Sequence, residues 1–424
     1  MGNLDYTQVL NKIENTRRFG NEPGVVVTAQ VIKVLREKGK QKRIIPYIHV
    51  AGTNGKGSVC AFFSSILKKE HMRVGTFVSP HLVDFEERIT VDGRMIPKED
   101  VTRLGNYLLD IDFGIGLTMF DYCLAMALLY FEEQQCDYMV IETGLGGRLD
   151  STNAIGTPQC AVITKIGYDH MAILGSDIAD IAAEKAGIIK ENGTVVVEQQ
   201  DKRAMQVIEQ EAKKKHARII TVEQSDIARC SGYALRLCGT FQWENAAAAE
   251  LAARYVLGKR YGGPEYEMQY DKTEPKSEET DLNDRIKSAL EEAVWPGRME
   301  IVSKEPFLLV DGAHNSNGVD ALKESLMQMY PGEKFCFFMG VMADKDYDVM
   351  IREILPLAEE FYTVTPDSDR ALQASHLADF IRKEGVCATE LSGVDEISKH
   401  LKRDTKNVAF GSLYFIGELK QHRI

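Results

Sequence analysis

The chain has 424 residues, of which 44% are hydrophobic, 27% charged and 8% aromatic, a composition typical of a folded globular protein. This length exceeds what one hydrophobic core usually supports, so it predicts two domains. The formal net charge of -12, from 51 Lys and Arg against 63 Asp and Glu, predicts a protein that binds neither nucleic acid nor an anionic membrane surface.

Cysteine usage and the apolar segments predict a cytoplasmic protein. The 8 cysteines include no C-x-x-C pair, and a chain of this size does not depend on disulfides, so reduced thiols are expected. The longest apolar run, at 122–131, has about half of the roughly 20 residues that a membrane-spanning helix requires. The first residues, MGNLDYTQVLNKIE, lack the apolar core of a signal peptide.

Strand-like apolar segments alternate with segments of helical period, which is typical of βαβ units around a parallel sheet. In the first part of the chain these strand-like segments are 45–51, 74–79, 138–142 and 160–166. After residue 300 the alternation begins again, with segments around 306–313 and at 335–341, 361–365 and 408–412. The pattern predicts an α/β protein whose first domain has a parallel-rich sheet and whose smaller C-terminal domain is Rossmann-like.

The boundary between these domains is expected near Trp295-Pro296-Gly297, which gives domains at 1–297 and 298–424. Shortly before it, the segment 259–284 is rich in acidic residues and has almost no apolar ones. Such a segment cannot bury a strand or a core helix, so we expect a mobile insertion near the end of the first domain.

The segment 49–69, HVAGTNGKGSVCAFFSSILKK, combines an apolar strand, a glycine-rich turn and an amphipathic helix. Its glycines allow backbone N–H groups to turn toward phosphate oxygens, the helix N-terminus is electropositive, and Lys56 adds a cation. The order differs from G-x-x-x-x-G-K-[ST], because Gly57 follows the lysine and Ser58 comes one place later. The segment still predicts a nucleotide-binding loop, formed by Gly52, Thr53, Asn54, Gly55, Lys56, Gly57 and Ser58.

A phosphate loop alone suits a kinase, a GTPase or a ligase equally well. A GTPase would normally carry an N-K-x-D motif after the loop. The nearest match, Asn11-Lys12-Ile13-Glu14, precedes it, which disfavours a GTPase.

Several further motifs, taken with the loop, resemble the folylpolyglutamate synthase and dihydrofolate synthase branch of the Mur ligase superfamily. They occur in family order from about residue 45 to about residue 415: VAGTNGKGS (50–58), SPHL (79–82) with ERI (87–89), ETGLGGRLDSTN (142–153), DHMAILG (169–175), EKAGIIK (184–190), WPGRME (295–300), DGAHN (311–315) and ADKDY (343–347). The resemblance implies a P-loop ATP-binding domain joined to a Rossmann-like glutamate ligase domain. It also implies a monomer that uses ATP, L-glutamate and a reduced folate or dihydropteroate.

The resemblance implies two magnesium sites and leaves room for a monovalent cation. It makes Ser79, Glu142 and His170 metal ligands, and it makes Lys185 a carbamylated lysine that ligates a second magnesium. From the residues alone, Glu142 at the end of an apolar segment needs a cationic partner. By itself, Ser79-Pro80 is typical of a turn and Lys185 is typical of a solvated lysine on a helix. Only the resemblance makes Ser79 and Lys185 candidate functional residues.

The resemblance also assigns residues to the substrates. It makes Asn245, Arg298 and Asp311 contacts of ATP, and it places His314 beside them as a catalytic residue together with Lys56 and Lys185. The pteroate site of bifunctional relatives corresponds here to Thr118, Phe120, Asp121, Leu149, Asp150 and Ser151. Asp121 stands where relatives have Glu, and GVVV (24–27) stands where relatives commonly have G-L-E-R, so an arginine is missing.

The function expected from this pattern is ATP-dependent addition of L-glutamate to the γ-carboxylate of a tetrahydrofolate, with addition to dihydropteroate as a second activity. Two alternatives remain. A cell-wall Mur ligase is disfavoured because no uridine-nucleotide domain precedes the phosphate loop. A non-catalytic ATP-binding switch would be expected to lack Lys56, Glu142 or Lys185, and all three are present.

Overall fold

The computed structural model describes residues 4–16, 20–260 and 277–422. Most of the predicted acidic insertion at 259–284 therefore lies outside the described residues. The chain divides into two compact units, the first formed by Met1–Ala234 with Glu244–Ala293 and the second by Leu235–Trp243 with Val294–Ile424.

The first unit contains an eight-stranded sheet in the order β4-β3-β2-β5-β1-β6-β7-β8. All neighbouring strands are parallel except at one edge, where β3 pairs antiparallel with both β2 and β4. The four strands predicted in this part of the chain are present as β1, β2, β5 and β6. The strands are β1 Tyr47–Ala51, β2 Val74–Phe77, β3 Ile89–Val91, β4 Arg94–Met95, β5 Tyr138–Glu142, β6 Cys160–Ile163, β7 Thr194–Val197 and β8 Arg218–Thr221.

Helices cover both faces of this sheet, which explains why its central strands are apolar on both sides. One face packs on a cluster that includes the almost fully buried helix at 119–133, and the other packs on the helices at 178–186 and 202–214. The helices are α1 Tyr6–Glu14, α2 Gly24–Glu37, α3 Lys56–Lys69, α4 Lys98–Leu109, α5 Met119–Glu133, α6 Met171–Leu174, α7 Ile178–Ala186, α8 Lys202–Lys214, α9 Gln224–Ser231, α10 Phe241–Arg260 and α11 Ser277–Glu292.

The second unit is a six-stranded sheet in the order β13-β12-β11-β14-β10-β9, parallel except for the edge strand β9. The strands are β9 Glu300–Lys304, β10 Phe307–Val310, β11 Phe335–Met339, β12 Ala358–Thr363, β13 Cys387–Glu390 and β14 Lys406–Phe410. Its helices are α12 Ser316–Met329, α13 Tyr347–Ile354, α14 Ala374–Lys383, α15 Ile397–His400 and α16 Leu413–Gln421. The four strands predicted after residue 300 correspond to β10, β11, β12 and β14, and the predicted two-domain α/β fold class is confirmed.

In a parallel sheet, the loops that follow the strands gather at one edge, where ligands of such folds bind. In the first unit these loops follow β1, β2, β5, β6 and β7, and they include most of the residues that the sequence singled out. None of the helices in the described part of the chain is long and apolar enough to cross a bilayer.

Candidate active site

The predicted phosphate loop lies between the central strand β1 and helix α3. Gly55 precedes the first residue of α3 and has a φ of 91°, a left-handed conformation that favours glycine. Neighbouring side chains also approach its backbone closely: a Cβ at residue 55 would lie 2.3 Å from Asn245 Oδ1, and one at Gly52 would lie 1.8 Å from Thr164 Oγ1. The glycines therefore admit packing that any larger residue would prevent.

The loop that follows β6 supports the phosphate loop from behind. The Lys165 carbonyl accepts from the N–H groups of Thr53 and Asn54 at 2.9 and 3.3 Å. The Thr164 hydroxyl donates to the Asn54 carbonyl at 2.6 Å. The Thr53 and Asn54 amides are therefore occupied, and a ligand at this loop would meet the amides of residues 55–58, at the N-terminus of α3.

A buried carboxylate lies beside the lysine of this loop. Lys56 Nζ donates to the carbonyls of Gly52 and Thr53 at 3.2 and 3.3 Å, and it lies 3.9 Å from Glu142 Oε1. Glu142 ends β5 next to β1, is only 4% exposed, and accepts from the Ser79 N–H at 3.1 Å. The fold thus brings together two of the predicted metal ligands, Ser79 and Glu142.

The third predicted metal ligand, His170, lies on an exposed turn just before α6. It has a φ of 51°, and its Nε2 lies 3.9 Å from Asp169 Oδ1. Within residues 4–16, 20–260 and 277–422, no group of three or more His, Cys, Asp or Glu residues is arranged to hold a metal by itself. The donor set here is therefore one buried carboxylate beside a phosphate loop, an arrangement that suits magnesium, which usually binds through one or two carboxylates, waters and substrate phosphates.

Lys185 on α7 is buried rather than solvated. It is only 4% exposed, and its Nζ donates to the Gly52 carbonyl at 2.8 Å, the same carbonyl that accepts from Lys56. Burial, followed by the charge of Lys56, lowers the pKa of Lys185 to about 7, although the carboxylates of Asp169 and Asp150 act in the opposite direction. Lys185 is therefore an amine that is substantially neutral near neutral pH.

Three of the predicted pteroate residues, Thr118, Asp121 and Ser151, form one hydrogen-bonded group around the start of α5. Thr118 caps this helix, and its hydroxyl donates to Asp121 Oδ2 at 2.7 Å. The Ser151 hydroxyl donates to the other oxygen of Asp121 at 2.6 Å, and Asp121 is only 2% exposed. The carboxylate of Asp121 is thus used inside the protein, where it connects α5 to the loop that follows β5.

Asp150 is used in a similar way. Its carboxylate accepts from the N–H groups of Gly144 and Leu145 at 3.0 and 2.8 Å and from the N–H and hydroxyl of Thr152. Burial raises its pKa, although these donors oppose the shift. Leu149 is exposed and Phe120 is half-buried, so these two predicted residues retain surface for a ligand.

The sequence motifs did not predict a row of buried hydrogen-bonded side chains that runs from Asp150 through Thr152 to His49. His49 Nε2 lies 2.7 Å from the Thr152 hydroxyl, which itself donates to Asp150. A hydroxyl has only one proton to donate, so Nε2 must carry the hydrogen and donate it to Thr152. Burial lowers the pKa of His49 to about 3, which keeps the ring neutral. The signal was visible as a histidine in the otherwise apolar strand β1.

The structure also shows what surrounds GVVV (24–27), the segment in which an arginine was expected. Helix α2 begins at Gly24, and the Val25 N–H donates to the Leu149 carbonyl at 3.1 Å. A Cβ at Gly24 would lie 2.4 Å from the Ser151 hydroxyl. The first turn of α2, which carries the valines of GVVV (24–27), therefore packs directly on residues 149–151.

Three predicted residues lie close together in the second unit. Asp311, which follows β10 and is 4% exposed, accepts from the N–H groups of Met299 and Ala313 at 2.8 Å each. Burial raises its pKa, although the Arg298 guanidinium opposes the shift. His314 Nδ1 lies 2.8 Å from the Gly312 carbonyl, and a Cβ at Gly312 would lie 2.8 Å from Arg298 Nη1.

Comparisons with known proteins match most of the chain. The Mur ligase middle domain model matches residues 50–253, and the Mur ligase glutamate ligase domain model matches residues 297–410. The chain is 33% identical to a dihydrofolate synthase/folylpolyglutamate synthase of Bacillus subtilis, with 98% of each chain covered. It is 30% identical to a folylpolyglutamate synthase of Lacticaseibacillus casei, with 87% of each covered.

Solved structures of similar proteins match nearly the whole chain. Folylpolyglutamate synthase of Mycobacterium tuberculosis, complexed with ADP and AMPPCP, superimposes with a TM-score of 0.82 at 26% identity, covering 99% of this chain and 98% of that one. FolC of Escherichia coli, in complex with DHPP and ADP, superimposes with a TM-score of 0.79 at 25% identity, covering 99% and 97%.

Proposed function

The chain belongs to the folylpolyglutamate synthase and dihydrofolate synthase family of the Mur ligase superfamily, and we propose that it is an ATP-dependent ligase that adds L-glutamate to the γ-carboxylate of a reduced folate. One observation carries this proposal: Lys56 and Lys185 meet at the Gly52 carbonyl of a phosphate loop, and Lys56 lies beside the buried Glu142.

Amide formation from a carboxylate requires activation, because its oxygen is a poor leaving group. A folate carboxylate oxygen attacks the γ-phosphorus of ATP, the bond to the bridging oxygen breaks, and ADP and an acyl phosphate form. The glutamate amine then attacks the acyl carbon, loses a proton, and expels inorganic phosphate as the tetrahedral intermediate collapses. Groups that neutralise charge on the moving phosphoryl group lower both barriers.

Lys56 is well placed for this charge neutralisation. The N–H groups of residues 55–58 and Lys56 Nζ would bind the β- and γ-phosphates. The Lys56 ammonium lies against the Gly52 and Thr53 carbonyls and Glu142, at the phosphate loop itself.

Glu142 and Ser79 would hold a magnesium ion, which would supply positive charge to neutralise the phosphates during transfer. The fit rests on Glu142, a buried carboxylate whose Oε1 lies 3.9 Å from the Nζ of the phosphate-loop lysine. We extend the proposal to His170 and to a second magnesium near Lys185, as the family pattern implies, and to a monovalent cation as a further candidate.

The second metal requires an anion at Lys185. A neutral Lys185 amine can add to carbon dioxide and lose one proton, which yields a carbamate. The lowered pKa of this lysine supports the proposal, because only the unprotonated amine reacts.

We propose that Asn245, Arg298 and Asp311 contact ATP and that His314 takes part in catalysis. Asn245 lies against Gly55 of the phosphate loop. Arg298, Asp311 and His314 are grouped in the second unit, which matches the glutamate ligase domain model. We also propose that the protein works as a cytoplasmic monomer.

The acceptor is proposed to be a tetrahydrofolate, bound near Phe120 and Leu149, with Thr118, Asp121, Asp150 and Ser151 shaping the loop. Dihydropteroate is a second candidate acceptor because the G-G-R-L-D form at 146–150 resembles bifunctional members, and the Bacillus subtilis relative is named for both activities. The valines at the start of α2 favour polyglutamylation as the main activity.

The test is to incubate the protein with ATP, magnesium and radiolabelled glutamate, with tetrahydrofolate, with dihydropteroate, or with no acceptor. Label in the tetrahydrofolate product alone identifies a folylpolyglutamate synthase, and label in both products identifies a bifunctional enzyme. No label with either acceptor, while ATP still binds, would refute the folate assignment and leave another amide ligase or an ATP-binding switch.

A further inference from the structure

A buried carboxyl group outside the predicted site lies just after β7. Glu198 is 1% exposed, and its Oε2 accepts from the Lys165 N–H at 2.7 Å. Its Oε1 is buried and has no hydrogen-bond partner among the described residues. A buried carboxylate with an unsatisfied oxygen is costly, so this residue calls for an explanation beyond packing.

Glu198 belongs to a three-residue segment that holds the loop behind the phosphate loop. Gln200 donates to the Thr164 carbonyl at 3.0 Å and accepts from the Ile166 N–H at 2.9 Å. Together with Glu198, it fixes two consecutive peptide units of that loop, Thr164–Lys165 and Lys165–Ile166. The Lys165 carbonyl in turn accepts from the amides of Thr53 and Asn54, so residues 198–200 reach the phosphate loop through one intermediate layer.

The same segment also holds the start of α10. The Gln199 N–H donates to Glu244 Oε1 at 2.6 Å. The next residue on that helix is Asn245, whose Oδ1 closely approaches Gly55 of the phosphate loop. Residues 198–200 therefore connect two supports of the loop, the one behind it and the one carrying Asn245.

The charges around Glu198 favour its neutral form. Burial and the negative charge of Glu244 raise its pKa well above the usual range, while the Lys165 N–H and the Lys165 ammonium oppose the shift. The Lys165 ammonium is half-exposed and lies 4.0 Å from Glu244 Oε2, so it is closely associated with Glu244. The negative charge of Glu244 adds to the cost of ionising the buried Glu198 carboxyl group.

We propose that Glu198 is a positioning residue of the nucleotide site, which with Gln199 and Gln200 holds the 164–167 loop and the first turn of α10 in register with the phosphate loop. This inference rests on the proposed function, because it assumes that the phosphate loop binds ATP. Glu198 does not contact the reacting atoms. It acts through Lys165 on Thr53 and Asn54, and through Gln199 and Glu244 on Asn245.

The inference is tested with Glu198→Ala and Glu198→Gln in the full chain. The alanine variant loses the acceptor for the Lys165 N–H, and we expect the KM for ATP to rise about tenfold or more, with a smaller change in kcat and no change in the KM for the folate acceptor. The glutamine variant keeps a neutral side chain of the same shape with an acceptor oxygen, so its KM for ATP should stay within about threefold of wild type.

Glu70→Ala is the matched control for the loss of a buried carboxylate. Glu70 is 9% exposed, pairs with Arg285 at 2.6 Å, and lies at the opposite end of α3 from the phosphate loop. We expect this variant to melt at a lower temperature while its KM for ATP is unchanged. If Glu198→Ala does not fold, Glu198→Asp, which withdraws the carboxyl group by one methylene, should raise the KM for ATP in its place.

Two results would overturn the inference: equal KM values for ATP in the Glu198→Ala and Glu70→Ala variants, or a Glu198→Gln variant as impaired as Glu198→Ala. The second result would mean that the ionised carboxylate is required. A failure of the proposed function can be told apart from a failure of this inference, because the wild-type protein itself would then incorporate no glutamate. AMPPCP affinity, measured by calorimetry, reports the effect of Glu198 in that case as well.

Discussion

Gly55→Ala is expected to disable the nucleotide site through a collision that the structure locates. Residue 55 has a φ of 91°, and its new methyl group would lie 2.3 Å from Asn245 Oδ1, whereas ordinary contact begins at 3.4 Å. The left-handed backbone costs roughly 1–2 kcal/mol with a side chain, and a displaced Asn245 rotamer costs roughly 0.5–1.5 kcal/mol more. We expect a loss of about 2–3 kcal/mol, felt at the site where phosphate binds.

The assay is the KM for ATP in the ligase reaction, checked against AMPPCP affinity by calorimetry. Because about 1.4 kcal/mol corresponds to a tenfold change, we expect the KM for ATP to rise at least about tenfold. The matched control is Gly39→Ala, since Gly39 has a φ of 68° and no neighbour within 4 Å of an added Cβ. That variant shares the backbone strain without the collision, so it should lose stability and keep the wild-type KM for ATP.

A double variant separates the collision from the backbone strain. Asn245→Ala removes the atom that the methyl group would meet, so Gly55→Ala should cost less in that background than in the wild-type protein. Strict additivity of the two substitutions, or a wild-type KM for ATP in Gly55→Ala, would refute the idea that the close approach of Asn245 requires glycine at position 55.

The remaining predictions concern Lys56, Lys185 and Asp121. Lys56→Ala should abolish turnover, because a charge-assisted contact to phosphate contributes roughly 1.5–3 kcal/mol or more; normal single-turnover kinetics would remove Lys56 from the site. Lys185→Ala should lose activity that acetate partly restores in initial-rate assays, and an unaided, fully active variant would argue against a carbamate. The lowered pKa of Lys185, about 7 against 10.5, means that folding stability falls as pH drops from 10.5 to 7 and then levels off. Lys185→Met should therefore stabilise the fold more at pH 6 than at pH 9, by roughly 2–3 kcal/mol in denaturant titrations without bicarbonate, and equal effects at the two pH values would contradict the lowered pKa. Asp121→Asn should raise the KM for the folate acceptor and leave the KM for ATP unchanged, because Asp121 accepts from Thr118 and Ser151 rather than from the phosphate loop; a change in the KM for ATP alone would contradict this.

Local sequence signals predicted much of the fold. The strand, glycine turn and helix of the phosphate loop occur at 47–51, 52–55 and 56–69, and the apolar segments on both sides of residue 300 became strands of two separate sheets. These features were readable because the period of apolar residues and the special backbone needs of glycine are properties of a few neighbouring residues.

The strand order was not readable in this way, nor were strands such as β7 and β8. Sheet order depends on which helices cross over which strands, and that is decided by the packing of both sheet faces rather than by any single segment. The same packing places the loop after β6 behind the phosphate loop. The resulting contact between Lys165 and Thr53 cannot be predicted from the local sequence of either segment.

The chemical properties of the site likewise depend partly on the sequence and partly on the tertiary structure. The sequence by itself determined which residues carry charge near the phosphate loop and which glycines the loop requires. Only the tertiary structure decided that Lys185, on a helix whose pattern is typical of a solvated lysine, is buried against the Gly52 carbonyl, and that the carboxylates of Asp121 and Asp150 are used internally. Desolvation and hydrogen bonding between distant segments set these properties, and both depend on neighbours that come together only in the folded chain.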